Sequence, residues 1–349
     1  MASARTIDFR SDFLAHPTDA MLEAYRAAAK TGAYGLREDP RQRELEAAIA
    51  KLLGCEDALV FPTCTMANLT AVLLHTAPGQ VLVCQDKAHV LTAEAGGAAA
   101  FGGVVIRPVP GESVEAPLDL WLAAAEPATG SAQTHPALCW IENTHNRLGG
   151  AAASASYCRA LADSLRAVNP VRLHLDGSRI LYAAAALGVP AAELAAPFDT
   201  VSISLNKGLG SAMPAALAGS KEAMGRAEAI RQRLGGGMRP VAAAAAAALV
   251  ALADVGHLRE DIRRAKAFAL RLQSLPALRF LPVASNLVFF DVNASTVSAA
   301  QLVERCAARG VLLNSPAPGR VRVVFYRGIT DEDVDRAVDA VERAVTNKE

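Results

Sequence analysis

Thr200-Val-Ser-Ile-Ser-Leu-Asn-Lys207-Gly-Leu-Gly210 is an apolar, β-branched run that stops at a lysine beside glycine. The run has the composition of a buried strand. A lysine at its end forms a Schiff base once a pocket desolvates the amine and lowers its pKa, and glycines let backbone approach a flat ring and its phosphate. On these residues alone, a lysine such as Lys207 is more often a solvated strand end. Upstream, His174-Leu-Asp176-Gly-Ser-Arg179 is a second apolar segment running into an acid. A carboxylate opposite a pyridinium nitrogen is what pyridoxal phosphate chemistry needs, because the protonated ring is the better electron sink. Together the two segments favour a pyridoxal phosphate site.

Outward from this pair, short β-rich segments at residues 58–61, 80–84, 103–106, 137–142, 172–176, 200–205 and 215–218 alternate with alanine-rich helical stretches. That alternation predicts an α/β fold with a mainly parallel sheet. Ligands then bind at the carboxyl ends of the strands. His145, Asp176 and Lys207 all follow such segments, so one crevice can collect them. After Gly235-Gly-Gly-Met-Arg239-Pro the pattern changes to one long helical stretch over 241–273. Strands near 286–292 and 321–326 follow, with helices near 297–309 and 331–345, the last capped by Thr330 with Asp333. The expected division is a large coenzyme-binding domain with an N-terminal arm over 1–245 and a small α+β domain over 246–349.

The 349 residues carry 35 Lys and Arg against 35 Asp and Glu. With no basic excess, neither a nucleic acid nor a membrane surface is an expected partner. Six cysteines are scattered without a Cys-x-x-Cys pair, which predicts neither a metal site nor a disulfide framework. The start of the sequence has no apolar leader, and the Ala242 to Ala248 run is too short to span a bilayer. A soluble, cytoplasmic protein is expected.

An ordered set extends these two segments: Arg10-Ser11-Asp12, Glu38-Asp39-Pro40, Pro62-Thr-Cys-Thr65-Met-Ala-Asn68, His89 with Glu94-Ala-Gly-Gly97, Glu142-Asn-Thr-His145-Asn, Leu175-Asp176-Gly-Ser-Arg179, Lys207-Gly-Leu-Gly210 and Gly235-Gly-Gly-Met-Arg239. In order and spacing it resembles the low-specificity L-threonine aldolases, over nearly the whole chain. The resemblance implies an aspartate-aminotransferase-like fold type I enzyme, with pyridoxal 5'-phosphate held as a Schiff base on Lys207. It implies that Asp176 pairs with the pyridine nitrogen and that Cys64, Thr65 and Met66 open a helix whose N-terminus meets the phosphate. His89 would stack on the ring, and His145 would sit near the substrate hydroxyl; either histidine could be the base. Ser11, Arg179 and Arg322 would hold the substrate carboxylate, with Arg179 also among the coenzyme's contacts. Without the family, Arg322 is equally an exposed cross-strand charge. Arg239 would reach the phosphate or carboxylate region, within one chain or across a subunit boundary. The implied reaction cleaves or forms the Cα–Cβ bond of L-β-hydroxy-α-amino acids, giving glycine and an aldehyde, in a homodimer or homotetramer with sites at the dimer interface. Alternatives are a related pyridoxal phosphate lyase acting by β-elimination, a transaminase, or a non-catalytic relative.

The chain departs from the family around the rim. Cys64 stands where glycine is common, Phe13 where threonine is usual, Asn206 for serine and Pro214 for glycine. The usual tyrosine-glycine pair before Glu38 is Leu36-Arg37, or Tyr34-Gly35 with an insertion, and the C-terminal pattern becomes Arg322-Val-Val-Phe-Tyr-Arg327-Gly. These changes suggest a substrate bulkier than threonine, or an acidic one met by Arg37 or Arg327.

Overall fold

The computed structural model describes residues 5–130 and 132–346. Seven strands make the main sheet: β2 (Asp57–Phe61), β3 (Val81–Gln85), β4 (Val105–Val109), β5 (Pro136–Glu142), β6 (Arg172–Gly177), β7 (Thr200–Ser204) and β8 (Ala215–Gly219). Their order is β2-β8-β7-β6-β5-β3-β4, and only β8 runs against its neighbours. Each of the seven expected segments became a strand. Helices cover both faces, so β3 and β7 are buried along their whole length; β3 is a near-continuous apolar run, whereas β7 alternates Val201 and Ile203 with Thr200, Ser202 and Ser204.

The C-terminal part builds a second, antiparallel sheet. Its strands are β9 (Leu278–Phe280), β10 (Leu287–Val292), β12 (Asn314–Ala317) and β13 (Arg320–Val324), in the order β12-β13-β10-β9. The chain's first strand, β1 (Ile7–Asp8), pairs in parallel with β11 (Val311–Leu312). Ile7 and Phe9 therefore bury into the core beneath this smaller sheet, although they lie some three hundred residues away in sequence. The helix Asp331–Thr346 starts as expected: the Asp333 amide donates to Thr330 Oγ1 at 3.2 Å, and the Thr330 amide to the Asp333 carboxylate at 3.0 Å.

The long helix expected over 241–273 is instead two, Ala242–Ala253 and His257–Leu272, bent by 64°. Tertiary contacts account for the break. Arg327 donates to both the Asp254 carboxylate and its backbone carbonyl, each at 2.8 Å, and so holds Asp254 out of helical geometry. At the start of the second helix, His257 accepts from Arg327 at Nδ1 and donates from Nε2 to the Gly208 carbonyl at 3.0 Å. Among the described residues no single helix is long and apolar enough to cross a membrane.

Glycine is required in the turn after Lys207. Gly208 and Gly210 have φ of 75° and 72°. A Cβ on Gly210 would lie 2.4 Å from the His16 carbonyl oxygen, and one on Gly208 would lie 2.1 Å from the Tyr182 hydroxyl. Beneath this turn Tyr182 donates to Asp261 at 2.9 Å, joining the helix Ile180–Leu187 to His257–Leu272.

Replacing Gly210 by Ala should lower stability by at least about 1–2 kcal/mol in urea titration, from the left-handed backbone alone. Gly225→Ala should raise it by about 1 kcal/mol, because Gly225 lies inside a helix with open space around its Cα. Burial pushes the Asp261 carboxyl from its ordinary 3.8 up to about 7. The stability its neutral form contributes is present below pH 4 and is lost as pH rises to 7, at up to about 1.4 kcal/mol per pH unit. Asp261→Asn should remove this loss, so unfolding curves of the variant should gain on the parent from pH 4 to 7 and level off above.

Candidate active site

Strands β5, β6 and β7 end side by side, with Glu142 opposite Asp176 and Asp176 opposite Ser202. This register brings the segments after each strand to one edge. Asp176 is fully buried, and its carboxylate accepts from the Ser178 amide at 3.1 Å, the Ser178 hydroxyl at 2.6 Å and Asn68 Nδ2 at 3.0 Å. Burial would raise its pKa, but the charges of His89 and Lys207 and the bond from Ser178 outweigh it and hold the group below the usual carboxylate range. The site thus contains a dry, ionised carboxylate whose hydrogen-bond donors are all neutral.

Asn68 continues the chain of contacts. Its Nδ2 also donates to Glu94 Oε1 at 2.7 Å, and that oxygen lies 2.8 Å from His89 Nδ1. Desolvation lowers the His89 pKa, but the bond to Glu94 and the nearby Asp176 and Glu142 charges more than reverse this and raise it. The ligand atoms of His89, Glu94 and Asp176 fall within 4.8 Å of one another, as a metal site could require. Glu94 Oε1 already accepts two hydrogen bonds there, which makes the cluster a relay between imidazole and carboxylate.

Glu142 fixes both histidine segments. Its two oxygens accept from the His89 amide and the Asn146 amide, each at 2.7 Å. His145 is fully buried 3.9 Å from Glu142, and neither ring nitrogen has a hydrogen-bond partner among the described residues. Buried nitrogens left without a partner call for one, which a water or a bound molecule supplies.

The helix Cys64–His75 opens at the same edge, capped by Thr63, whose hydroxyl accepts from the Met66 amide at 3.0 Å. Cys64 Sγ lies 3.1 Å from Ser178 Oγ, and Thr65 is exposed in the first turn. Burial pushes the Cys64 thiol up, so it is a neutral wall and not a nucleophile. Lys207 is buried at the turn after β7, its Nζ 5.4 Å from the ring centroid of Phe13. Phe13, one of the departures, therefore screens the lysine.

The arginines divide into two groups. Arg179 makes a bidentate pair with Asp12 at 2.7 and 2.8 Å through Nε and Nη2, which leaves Nη1 for another ligand. Arg322 donates to Asn146 Oδ1 at 3.2 Å and to the Arg10 carbonyl at 3.0 Å, and its buried Nε has no partner among the described residues. Ser11 lies between Arg10 and Asp12 with its hydroxyl at the start of a short 3-10 turn. Ser11, Arg179 and Arg322 are thus gathered at one place. Arg239 stands apart from these contacts: it is exposed, and its guanidinium donates to the Tyr34 carbonyl at 3.1 Å.

Two expectations are corrected. Arg37 is held by Glu46 at 2.9 Å and Asp57 at 2.8 Å, and Arg327 by Asp254 and His257, so neither is available to an acidic substrate. Both pairings join residues from different elements and leave no mark in the local sequence. Conversely, Asp12, Asn68, Glu94 and Glu142 lay inside the quoted motifs without a role. Asn68 carried the clearest signal, being an amide inside an otherwise apolar helix stretch.

A family model described as beta-eliminating lyase matches residues 8–295. A low-specificity L-threonine aldolase from Arabidopsis thaliana is 34% identical, covering 98% of this chain and 97% of its own. Its counterpart from Escherichia coli K12 is 35% identical, covering 94% and 96%. The chain belongs to the low-specificity L-threonine aldolase family. As a member it is a pyridoxal-phosphate-dependent carbon–carbon lyase. A solved threonine aldolase from Leishmania major shares the fold at a TM-score of 0.85 and 19% identity, over 97% of this chain and 99% of that one. A Sphingomonas wittichii serine palmitoyltransferase, at 0.76 and 17%, covers 98% and 88% and shows the same fold type I architecture.

Truncating Asp12 should be severe, because it strands a buried guanidinium. Asp12→Ala should cost about 3–5 kcal/mol by chemical unfolding, and combining it with Arg179→Met should recover most of that loss.

Proposed function

We propose that this aldolase-family enzyme cleaves, and in reverse forms, the Cα–Cβ bond of L-β-hydroxy-α-amino acids, releasing glycine and an aldehyde. The observation that carries the reading is the buried, ionised Asp176 lying among Lys207, His89 and the opening of the helix Cys64–His75. The donor set fits pyridoxal phosphate. Lys207 would hold its aldehyde, Asp176 its ring nitrogen, and the Cys64, Thr65 and Met66 segment its phosphate, with His89 against the ring. The bound coenzyme supplies an electron sink for the pair left at Cα when the bond to Cβ breaks.

The protein's own groups then set which bond breaks. Arg322 Nε, Arg179 Nη1 and the Ser11 hydroxyl grip the α-carboxylate and so fix the rotation about Cα. Because Glu94 biases His89 toward its protonated form, the proton of the β-hydroxyl goes to His145, directly or through a water. Glu142 keeps the two histidines at a set separation by holding the backbone of both segments. Arg239 is assigned to the phosphate or carboxylate region through a neighbouring subunit, in a cytoplasmic homodimer or homotetramer whose partner is a small amino-acid substrate. Light scattering tests the assembly.

Incubating the protein with coenzyme and L-allo-threonine should yield glycine and acetaldehyde in equal amounts. Ammonia with a keto acid in their place would instead establish β-elimination, the chemistry in the family model's description. Borohydride reduction should attach the coenzyme to Lys207 in peptide mass spectra, and Lys207→Ala should abolish the adduct. His145→Gln should lower kcat by roughly 10²–10⁴-fold while leaving that adduct intact.

A further inference from the structure

Beside the active site, between the carboxyl ends of β3, β4 and β5 and the smaller sheet, lies a cleft of about 460 Å³. That is large enough for a small ligand portion. Four cations line it: Lys87, Arg147, Arg279 and Arg320. Lys87 pairs with Glu112, while Arg279 and Arg320 share Asp291. Arg147 is exposed, with no hydrogen bond or ion pair among the described residues. Two acids thus face four cations, and the remaining wall is apolar, formed by Val114, Leu148, Ala151 and Leu281.

The cleft is built on the segments that carry the active site. Lys87 precedes His89 by two residues, and Arg147 follows His145 by two. Ala151 in the wall accepts the His145 amide at 2.8 Å through its carbonyl. Arg320 lies on the same strand face as Arg322, two residues away, or about 7 Å along β13. Arg322 in turn bonds Asn146, the residue before Arg147. A molecule whose α-carboxylate sits on Arg322 has its side chain within a few carbons of this cleft.

We propose that the cleft receives an anionic group at the far end of the substrate, so that the enzyme acts on β-hydroxy-α-amino acids whose side chain ends in a carboxylate or phosphate. The methylene chain lies along the apolar wall, and the acid meets Arg147 with Arg320 behind it. Cleavage is the ordinary retro-aldol: the Cα–Cβ bond breaks, the β-hydroxyl loses its proton to become the carbonyl of an acidic aldehyde, and Cα takes up a proton to give glycine. This inference rests on the aldolase reading above and names its substrate class.

The test uses the coenzyme-loaded enzyme in the synthetic direction, with glycine and either succinic semialdehyde or its neutral analogue pentanal. The expected result is a kcat/KM roughly tenfold or more higher for the acidic aldehyde, the worth of one charge-assisted hydrogen bond. Arg147→Gln should erase that preference and Arg147→Glu reverse it, with pentanal turnover unchanged in both. Equal efficiencies for the two aldehydes in the parent enzyme, or an equal loss on both in Arg147→Gln, would overturn the proposal. Added succinate or inorganic phosphate should compete with succinic semialdehyde; if either instead changes pentanal turnover without competing, the cleft serves a free anion and the proposal fails. Acetaldehyde release from L-allo-threonine, run in parallel, separates the two readings: turnover without an acid preference sinks only this inference, whereas no acetaldehyde together with no condensation of glycine with either aldehyde sinks the aldolase reading.

Discussion

The buried pair of Asp12 and Arg179 is the constraint on which the rest of the site depends. Asp12 is wholly inaccessible and Arg179 nearly so, and burial alone would penalise both charges. Their bidentate contact reverses each shift, holding the carboxyl low and the guanidinium high. Asp12 also accepts the Gly208 amide at its carbonyl and Asn286 Nδ2 at its carboxylate. One residue of the N-terminal arm thereby joins the segment after β6, the lysine turn after β7 and the approach to the smaller sheet. The arm can reach this place because β1 is already paired with β11.

From this anchor the electrostatics separate into two regions. On one side Asp176, Asn68, Glu94 and His89 form a connected chain of hydrogen bonds in which a deep carboxylate is ionised and an imidazole is biased toward its charged form. On the other, Arg179 and Arg322 hold the two neighbours of Ser11, Asp12 and Arg10. Arg322 is itself disfavoured by burial and by the neighbouring charge of Arg179, which suits it to bind an anion that relieves both. His145 lies at the boundary, tied by its backbone to Ala151 and near Glu142. These groups come from different segments: His89 follows β3, His145 follows β5, and Ser11, Arg179 and Arg322 belong to the arm, the segment after β6 and β13.

Much of this was legible in the chain. Buried strands of a mainly parallel sheet announce themselves as short β-branched runs, and Thr330 with Asp333 announced a helix start, because both signals depend on residues close in sequence. Lys207, Asp176 and His145 were legible for a related reason: each follows a readable strand, and the α/β architecture brings strand ends together. Distances through space were not legible. Arg37 and Arg327 looked free as letters, yet each meets acids or a histidine that local sequence does not point to. The continuous helical pattern over 241–273 gave no sign that Arg327 would hold Asp254 out of the helix.

The sequence by itself determined most element types, the candidate site motifs and the family, since propensity, capping and motif spacing are local properties that survive without coordinates. Tertiary structure alone decided which side chains share a carboxylate. It buried Asp12 against Arg179, placed Glu94 behind His89 and left Arg147 unpaired beside the site, because such pairings depend on strand register and on the packing of the smaller sheet against the larger. Charge pairing acts over a few ångströms of space, and residues that close are separated here by up to hundreds of positions in the chain.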